Sequence, residues 1–320
     1  MHAASVILLA WAMIGAACFF SPWGTAAMGA VLALLVAVVG LPHGAADHRF
    51  ARPRLEPLLG QAWAGLFLTG YLLVAAAVLA GWFLLPAATI VVFFLASAWH
   101  FGQEEPRLAI GPQMLRPAFR FARGGLVIWV PVALQTDAVV RILSVTAPRG
   151  FGSDIERAVA ALAVCSWAML AIAAAGWGLQ ALTAIGSRGR RRRVLLRDNL
   201  LVASLATLFA VANPLVGFLV YFCGWHSARG LARLRRELGE RWSELAVSLA
   251  PLTAAAIGLV ALATGLFLQA PTWDDTLIRA TFIGLSSVAM PHLLLHGAGP
   301  WIEHLAGRQS ARSLQLGSPA

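Results

Sequence analysis

Apolar runs recur along this chain from end to end, at about residues 3–20, 26–42, 61–85, 87–102, 122–136, 158–185, 199–212, 214–227, 245–269 and 277–297. Nothing else in the sequence restricts the fold as much. In hydrocarbon every backbone N–H and C=O must find its partner inside the protein, which leaves helices or closed barrels. A helix crosses the hydrocarbon core with roughly 20 residues, and several of these runs reach that length. Only 12% of the 320 residues are charged, about half the share in a soluble domain, and the mean hydropathy is +0.76. A soluble globular protein, a disordered chain, a coiled coil and a disulfide scaffold are all excluded. The expected class is all-α, a polytopic transmembrane bundle of about 8–10 helices.

The net charge of +10 is a signal of topology. All 24 basic residues are Arg. Ten spans starting from the cytoplasm put all but four of them on one side, in the loops 43–60, 103–121 with its helix edge, 186–198 and 228–244 and in the C-terminal tail. Arg141, Arg149, Arg157 and Arg279 fall opposite. The positive-inside rule then predicts a multi-pass protein of the cell inner (plasma) membrane with both termini cytoplasmic. The block Arg190–Arg193 is expected against anionic headgroups. No nucleic-acid partner is expected, because no soluble domain presents a basic face. Residues 3–20 read as a first, uncleaved membrane helix, since no basic residue precedes them as in a signal peptide. The chain reads as a single integral membrane domain over 1–320, with a flexible cytoplasmic tail from about residue 298. Cys18, Cys165 and Cys223 lie in apolar runs without metal-binding spacing and read as small apolar residues.

Of the eight histidines, His2 and His304 lie near the ends. The other six sit at four places: His43 and His48 after the second run, His100 ending the fourth, His226 ending the eighth, and His292 and His296 ending the tenth. Alternate helices thus deliver imidazole to one membrane depth, on the cytoplasmic side. An ionisable group there is costly and marks function, and imidazole from several helices is the donor set of a metal ion. Any one of these histidines taken alone is as readily a helix-end residue bonded to the last carbonyls. Asp47 stands four residues after His43. If the helix continues through Pro42, Asp47 shares a face with His43 and could hold its second ring nitrogen. Glu104 stands four residues after His100. His292 and His296 share a helix face. Asp47, His48, Glu104 and His296 are therefore candidates for the shell around the ligands. Trp99 and Trp225, each directly before a His, are candidates for the substrate pocket, although most Trp here read as helix-end anchors.

Four stretches carry a family resemblance: Gly40-Leu41-Pro42-His43-Gly44-Ala45, Trp99-His100-Phe101-Gly102, Tyr221 to Arg229 around Trp225-His226-Ser227, and Pro291-His292-Leu293-Leu294-Leu295. Their order, helix-end placement and spacing resemble the Brp/Blh family of membrane β-carotene 15,15'-dioxygenases. The resemblance implies a helical membrane enzyme that splits β-carotene at its central double bond with O2 to give retinal. It implies non-haem Fe(2+) as cofactor, with His43, His100 and His226 as ligands. One position departs: the family's third motif resembles His-Ser-x-Arg-His, and Gly230 stands where its second, ligating His would be. His292 is the candidate replacement, with His296 and His48 behind it.

The chemistry suits the setting. A carotenoid dissolves in lipid and can enter sideways between helices, and small residues such as Gly65, Gly70, Gly125, Gly217 and Gly284 permit close packing or a narrow tunnel. The protein's tasks are to position the double bond, exclude water and tune the metal, so no catalytic residue beyond the metal ligands is expected. Three alternatives belong to other classes. A carotenoid- or retinal-binding relative would not cleave. A His-rich membrane lipid oxidase would need more histidines for two metals than the six interior ones here. A transporter using His as proton relays would require no metal.

Overall fold

A computed structural model of the chain describes residues 2–19, 25–104, 112–148, 150–268 and 270–316. Among the described residues there is no strand. The helices are α1 (His2–Phe19), α2 (Thr25–Leu35), α3 (Leu41–Ala45), α4 (Asp47–Leu59), α5 (Trp63–Leu84), α6 (Pro86–Glu104), α7 (Arg116–Gly124), α8 (Leu126–Leu134), α9 (Thr136–Thr146), α10 (Gly152–Ile185), α11 (Gly189–Val211), α12 (Pro214–Leu219), α13 (Ala228–Leu238), α14 (Trp242–Phe267) and α15 (Trp273–Leu316). Two π-helical segments, Val36–Gly40 and Val220–Ser227, join α2 to α3 and α12 to α13.

The protein is an all-α, polytopic membrane bundle. Five helical stretches are long and apolar enough to cross a membrane: Met28–Leu84, Gly152–Ile185, Gly189–Val211, Trp242–Phe267 and Trp273–Gly299. A sixth is available if α7 and α8, bent by 62° at Gly125, form one broken span. Within the described residues the expected apolar runs fall mainly on helices, but breaks at glycine and proline divide several of them. The run 199–227 parts at Asn213, whose side chain caps α12 by accepting from Leu215 N at 2.9 Å, while Pro214 fills the first-turn position where no N–H is needed.

Position in the bundle follows apolarity. The spanning window of α15 is 67% buried, against 11% in α14, so α15 is the central post. It packs against α2, α4, α5, α6, α9 and α14, and continues past residue 298 as helix to Leu316. The outer helices expose Leu73, Leu84, Val164, Leu182, Val247 and Leu262, side chains whose favourable neighbour is lipid. Small residues bring backbones together where the site is held. A Cβ on Gly102 would overlap the Arg120 carbonyl, and one on Gly124 would overlap the Gly102 amide. α6 therefore crosses α7 in backbone contact two residues after His100. Of the five glycines expected to permit close packing, Gly125, Gly217 and Gly284 press against Trp129, Phe209 and Val260, whereas Gly65 and Gly70 face open space.

One buried ion pair ties the outer layer. Arg123 donates Nη1 and Nη2 to the two carboxylate oxygens of Asp198 at 2.7 and 2.8 Å. This fork-to-fork geometry is the strong form of the pair. It links α7 to α11, and Gln180 of α10 joins it through Asp198.

Candidate metal centre

Each histidine that faces the centre is delivered by a local irregularity or a packed helix end. Pro42 has no amide hydrogen, and its ring conflicts with the carbonyl four residues back, that of Val38. The chain meets this conflict by widening: Leu41 N–H donates to Val36 O, five residues back, and the helix runs on through Pro42 to His43. The second π segment carries His226 and ends with Ala228 N–H donating to Cys223 O. Such widened turns recur at functional sites. The two segments touch: a Cβ on Gly40 would stand 2.7 Å from the Phe222 ring. His100 comes from the C-terminal part of α6, and His292 and His296 from the middle of α15.

The rings converge. His43 lies with its centroid 5.0 Å from those of both His226 and His292, and His100 lies 5.2 Å from His226 and 4.8 Å from His292. Ligand nitrogens of His43, His226 and His292 all fall within 4.8 Å of one another. His100 lies outside that group of three, and meets it through Nε2, 3.3 Å from Nε2 of His292. Two nitrogens bound tetrahedrally to one ion at about 2.1 Å each stand roughly 3.4 Å apart, so this spacing fits a shared cation. His100, His226 and His292 are buried. Phe101 meets the His226 ring edge-on at 4.8 Å and Phe222 lies parallel to it at 6.1 Å, which fixes that ring's plane.

The surrounding candidates divide. Asp47 is buried, but the turn at Ala46 separates α3 from α4, so it does not share a helix face with His43. Its Oδ1 instead accepts from His292 Nδ1 at 2.7 Å and faces His296 Nε2 at 3.3 Å. His296 also stacks on Phe50 at 4.2 Å. His48 lines the same cavity while its Nδ1 bonds the Ala45 carbonyl at 2.8 Å. Glu104 turns to Arg233 on α13 at 3.8 Å. Neither Trp99 nor Trp225 is among the residues lining the cavity. A helix turns by about 100° per residue, so the neighbour of an inward-facing His faces elsewhere. Trp99 is 47% exposed on the outside of α6, and Trp225 lies under Arg229, 5.0 Å from its ring centre. Tyr71, which the sequence reading overlooked, reaches Asp47 Oδ2 at 3.2 Å and the Val288 carbonyl at 2.7 Å.

Gly230 has a structural reason to lack a side chain. A Cβ there would lie 2.6 Å from His43 Nδ1 and closer still to Cε1. The His43 ring fills the space that a side chain at 230 would need.

The histidines form one wall of a cavity that is partly open to the exterior. The remaining lining is almost wholly apolar, with Phe94, Ile128, Val132, Leu143, Phe218 and Leu285 among it. Ser97 and Tyr71 are the polar groups beside the histidines and Asp47.

A family model described as beta-carotene 15,15'-dioxygenase matches residues 34–298. The chain belongs to that family. A beta-carotene 15,15'-dioxygenase of the uncultured marine bacterium 66A03 is 26% identical over 264 residues, covering 82% of this chain and 90% of the relative. A probable beta-carotene 15,15'-dioxygenase Blh of Halobacterium salinarum is 27% identical over 298 residues, covering 84% and 83%. No solved structure matches the chain at a significant level. The region shared with the beta-carotene 15,15'-dioxygenase family holds both π segments, all six convergent or flanking histidines and Asp47; most of α1 and α2 precedes it.

Proposed function

We propose that the protein is an iron-dependent dioxygenase that cleaves β-carotene, or a closely related carotenoid, at its central double bond with O2 to give two molecules of retinal. The observation that carries this reading is the convergence of four imidazoles from four chain segments on the wall of one apolar cavity. Family membership supplies the reaction class, and the names of the relatives supply the substrate.

His43, His100, His226 and His292 would hold Fe(2+). Four neutral imidazoles suit that ion and leave coordination positions free. When bound, the iron supplies the one-electron chemistry that lets triplet O2 react with a polyene. The rest is the chain's work. Apolar walls take up the polyene and exclude water, so that aldehyde formation is not diverted. Phe101 and Phe222 hold the His226 ring beside the cavity. The reaction balances without a proton donor or an external reductant. One C=C bond breaks, both atoms of O2 end as the two aldehyde oxygens, and the electrons of the broken bond make good the reduction of O2.

We further read the protein as one integral domain of the cell inner membrane with both termini cytoplasmic, the stretch from about 298 onward belonging to the cytoplasmic end. The Arg distribution supports that orientation. The test is expression in β-carotene-producing cells. The account expects bleaching and retinal on chromatography. Unchanged carotenoid in cells that hold folded, iron-loaded protein contradicts it and favours a relative that binds without cleaving.

A further inference from the structure

Asp47 is 3% exposed, and among the described residues it pairs with His292 and His296. A carboxylate so placed in a membrane bundle is costly unless its oxygens are satisfied and its charge offset. The donors can be counted. Tyr71 has one hydroxyl proton and two acceptors within reach, Val288 O at 2.7 Å and Asp47 Oδ2 at 3.2 Å. One proton cannot fully serve both acceptors, so Asp47 also needs imidazole N–H groups. His292 Nδ1 stands 2.7 Å from Oδ1, and because an ionised carboxylate only accepts, this contact calls for the proton on Nδ1. A neutral imidazole carries one N–H, so a proton on Nδ1 leaves Nε2 as a bare lone pair. That Nε2 is the atom 3.3 Å from His100 Nε2, inside the cluster.

We propose that Asp47 is the positioning residue of the centre. Its carboxylate holds His292 in the tautomer and orientation that present Nε2 to the metal. His296, one turn beyond His292 on α15, steadies the carboxylate from the other side through the same oxygen. The Ala46 turn makes this possible: it ends α3 after His43 and starts α4 with Asp47 aimed across the bundle at α15. The proposal rests on reading the histidine cluster as a metal centre. Such outer partners typically govern metal affinity by 10–100-fold.

The test uses full-length, detergent-purified wild type, Asp47→Asn, Asp47→Glu, His292→Ala and the double variant Asp47→Asn/His292→Ala. Anaerobic Fe(II) and Co(II) titrations give stoichiometry, affinity and the Co(II) absorption spectrum. Wild type is expected to bind one ion per chain. Asp47→Asn keeps the shape but loses the charge, and should weaken binding about 10–100-fold and shift the Co(II) bands. Asp47→Glu should recover most of the affinity. The double variant should bind no more weakly than His292→Ala alone, because Asp47 acts through His292. Unchanged affinity and spectrum in Asp47→Asn overturn the proposal, as do additive losses in the double variant. Two ions in wild type falling to one in Asp47→Asn also overturn it, by making Asp47 a ligand of a second ion. Should Asp47→Asn fail to fold, His296→Ala takes its place, with a smaller loss of affinity expected and no loss contradicting the account. Wild type that binds no ion at all sinks the metal-centre reading itself, a result distinct from each of these.

Discussion

His100 and Gly230 make opposite demands on the centre. His100 must be present: its Nε2 faces that of His292, and the backbone contact of Gly102 with α7 holds its helix end in place. His100→Ala is expected to lower cleavage more than about 100-fold, beyond the loss of an outer partner, with membrane insertion and thermal melting intact. Retained activity in a carotenoid cleavage assay removes His100 from the ligand set. Gly230 must be bare. Even a methyl group collides with the His43 ring, and overpacking of this kind costs about 1–3 kcal/mol. Gly230→Ala is expected to weaken iron binding by roughly tenfold or more, read by titration, and wild-type affinity in that variant would show that His43 does not need its present place. Such residues were unequally legible. The histidines announce themselves at the ends of apolar runs. The partner of Asp47 does not, because a helix break at Ala46 turns it from a neighbour four residues away to one on α15, 245 residues away.

Among the elements, the two π segments and the Arg123–Asp198 pair carry the most consequence. Val36–Gly40 and Val220–Ser227 meet at Gly40 and Phe222, and each leads directly to a histidine. Gly40→Ala should force the Phe222 ring away and disturb His226, whose ring lies parallel to it. A several-fold loss of turnover with little change in melting temperature is expected; unchanged turnover would mean that the contact does not transmit to the site. Asp198→Ala removes the carboxylate that the partly buried Arg123 guanidinium grips between α7, α10 and α11, which should cost stability. It should appear as a clear drop in melting temperature in detergent, and no drop contradicts the assignment of this pair as buried and coupled. Helix identity along the chain was legible because apolar length alone implies helix in a membrane. The bends were partly legible, at Asn213-Pro214 but not at Gly125. The neighbours of the key histidines misled: Trp99 and Trp225 look like pocket walls in sequence, yet one helical step turns Trp99 to the outside and Trp225 into the packed core away from the cavity.

At the scale of the whole molecule, a central helix lined by outer helices that face lipid surrounds an apolar cavity with a cluster of nitrogen donors in its wall. Under the proposed function, this arrangement would join a lipid-borne substrate to a reaction at a metal ion, and would account for a chain with so few charges keeping six histidines and an aspartate together. Cysteine-labelling of single introduced sites in the 186–198 and 228–244 loops is expected to show them on the cytoplasmic face, and labelling from the opposite face overturns the orientation. Composition revealed the membrane and the family motifs revealed the reaction, but the meeting of the rings depends on crossings between distant helices that no local pattern encodes. X-ray absorption of the purified, iron-loaded protein tests that meeting most directly. The account predicts one iron per chain in a shell of imidazole nitrogens at about 2.1 Å, reduced when His100 is replaced. A folded protein that takes up no iron, or iron whose shell shows no imidazole, contradicts it.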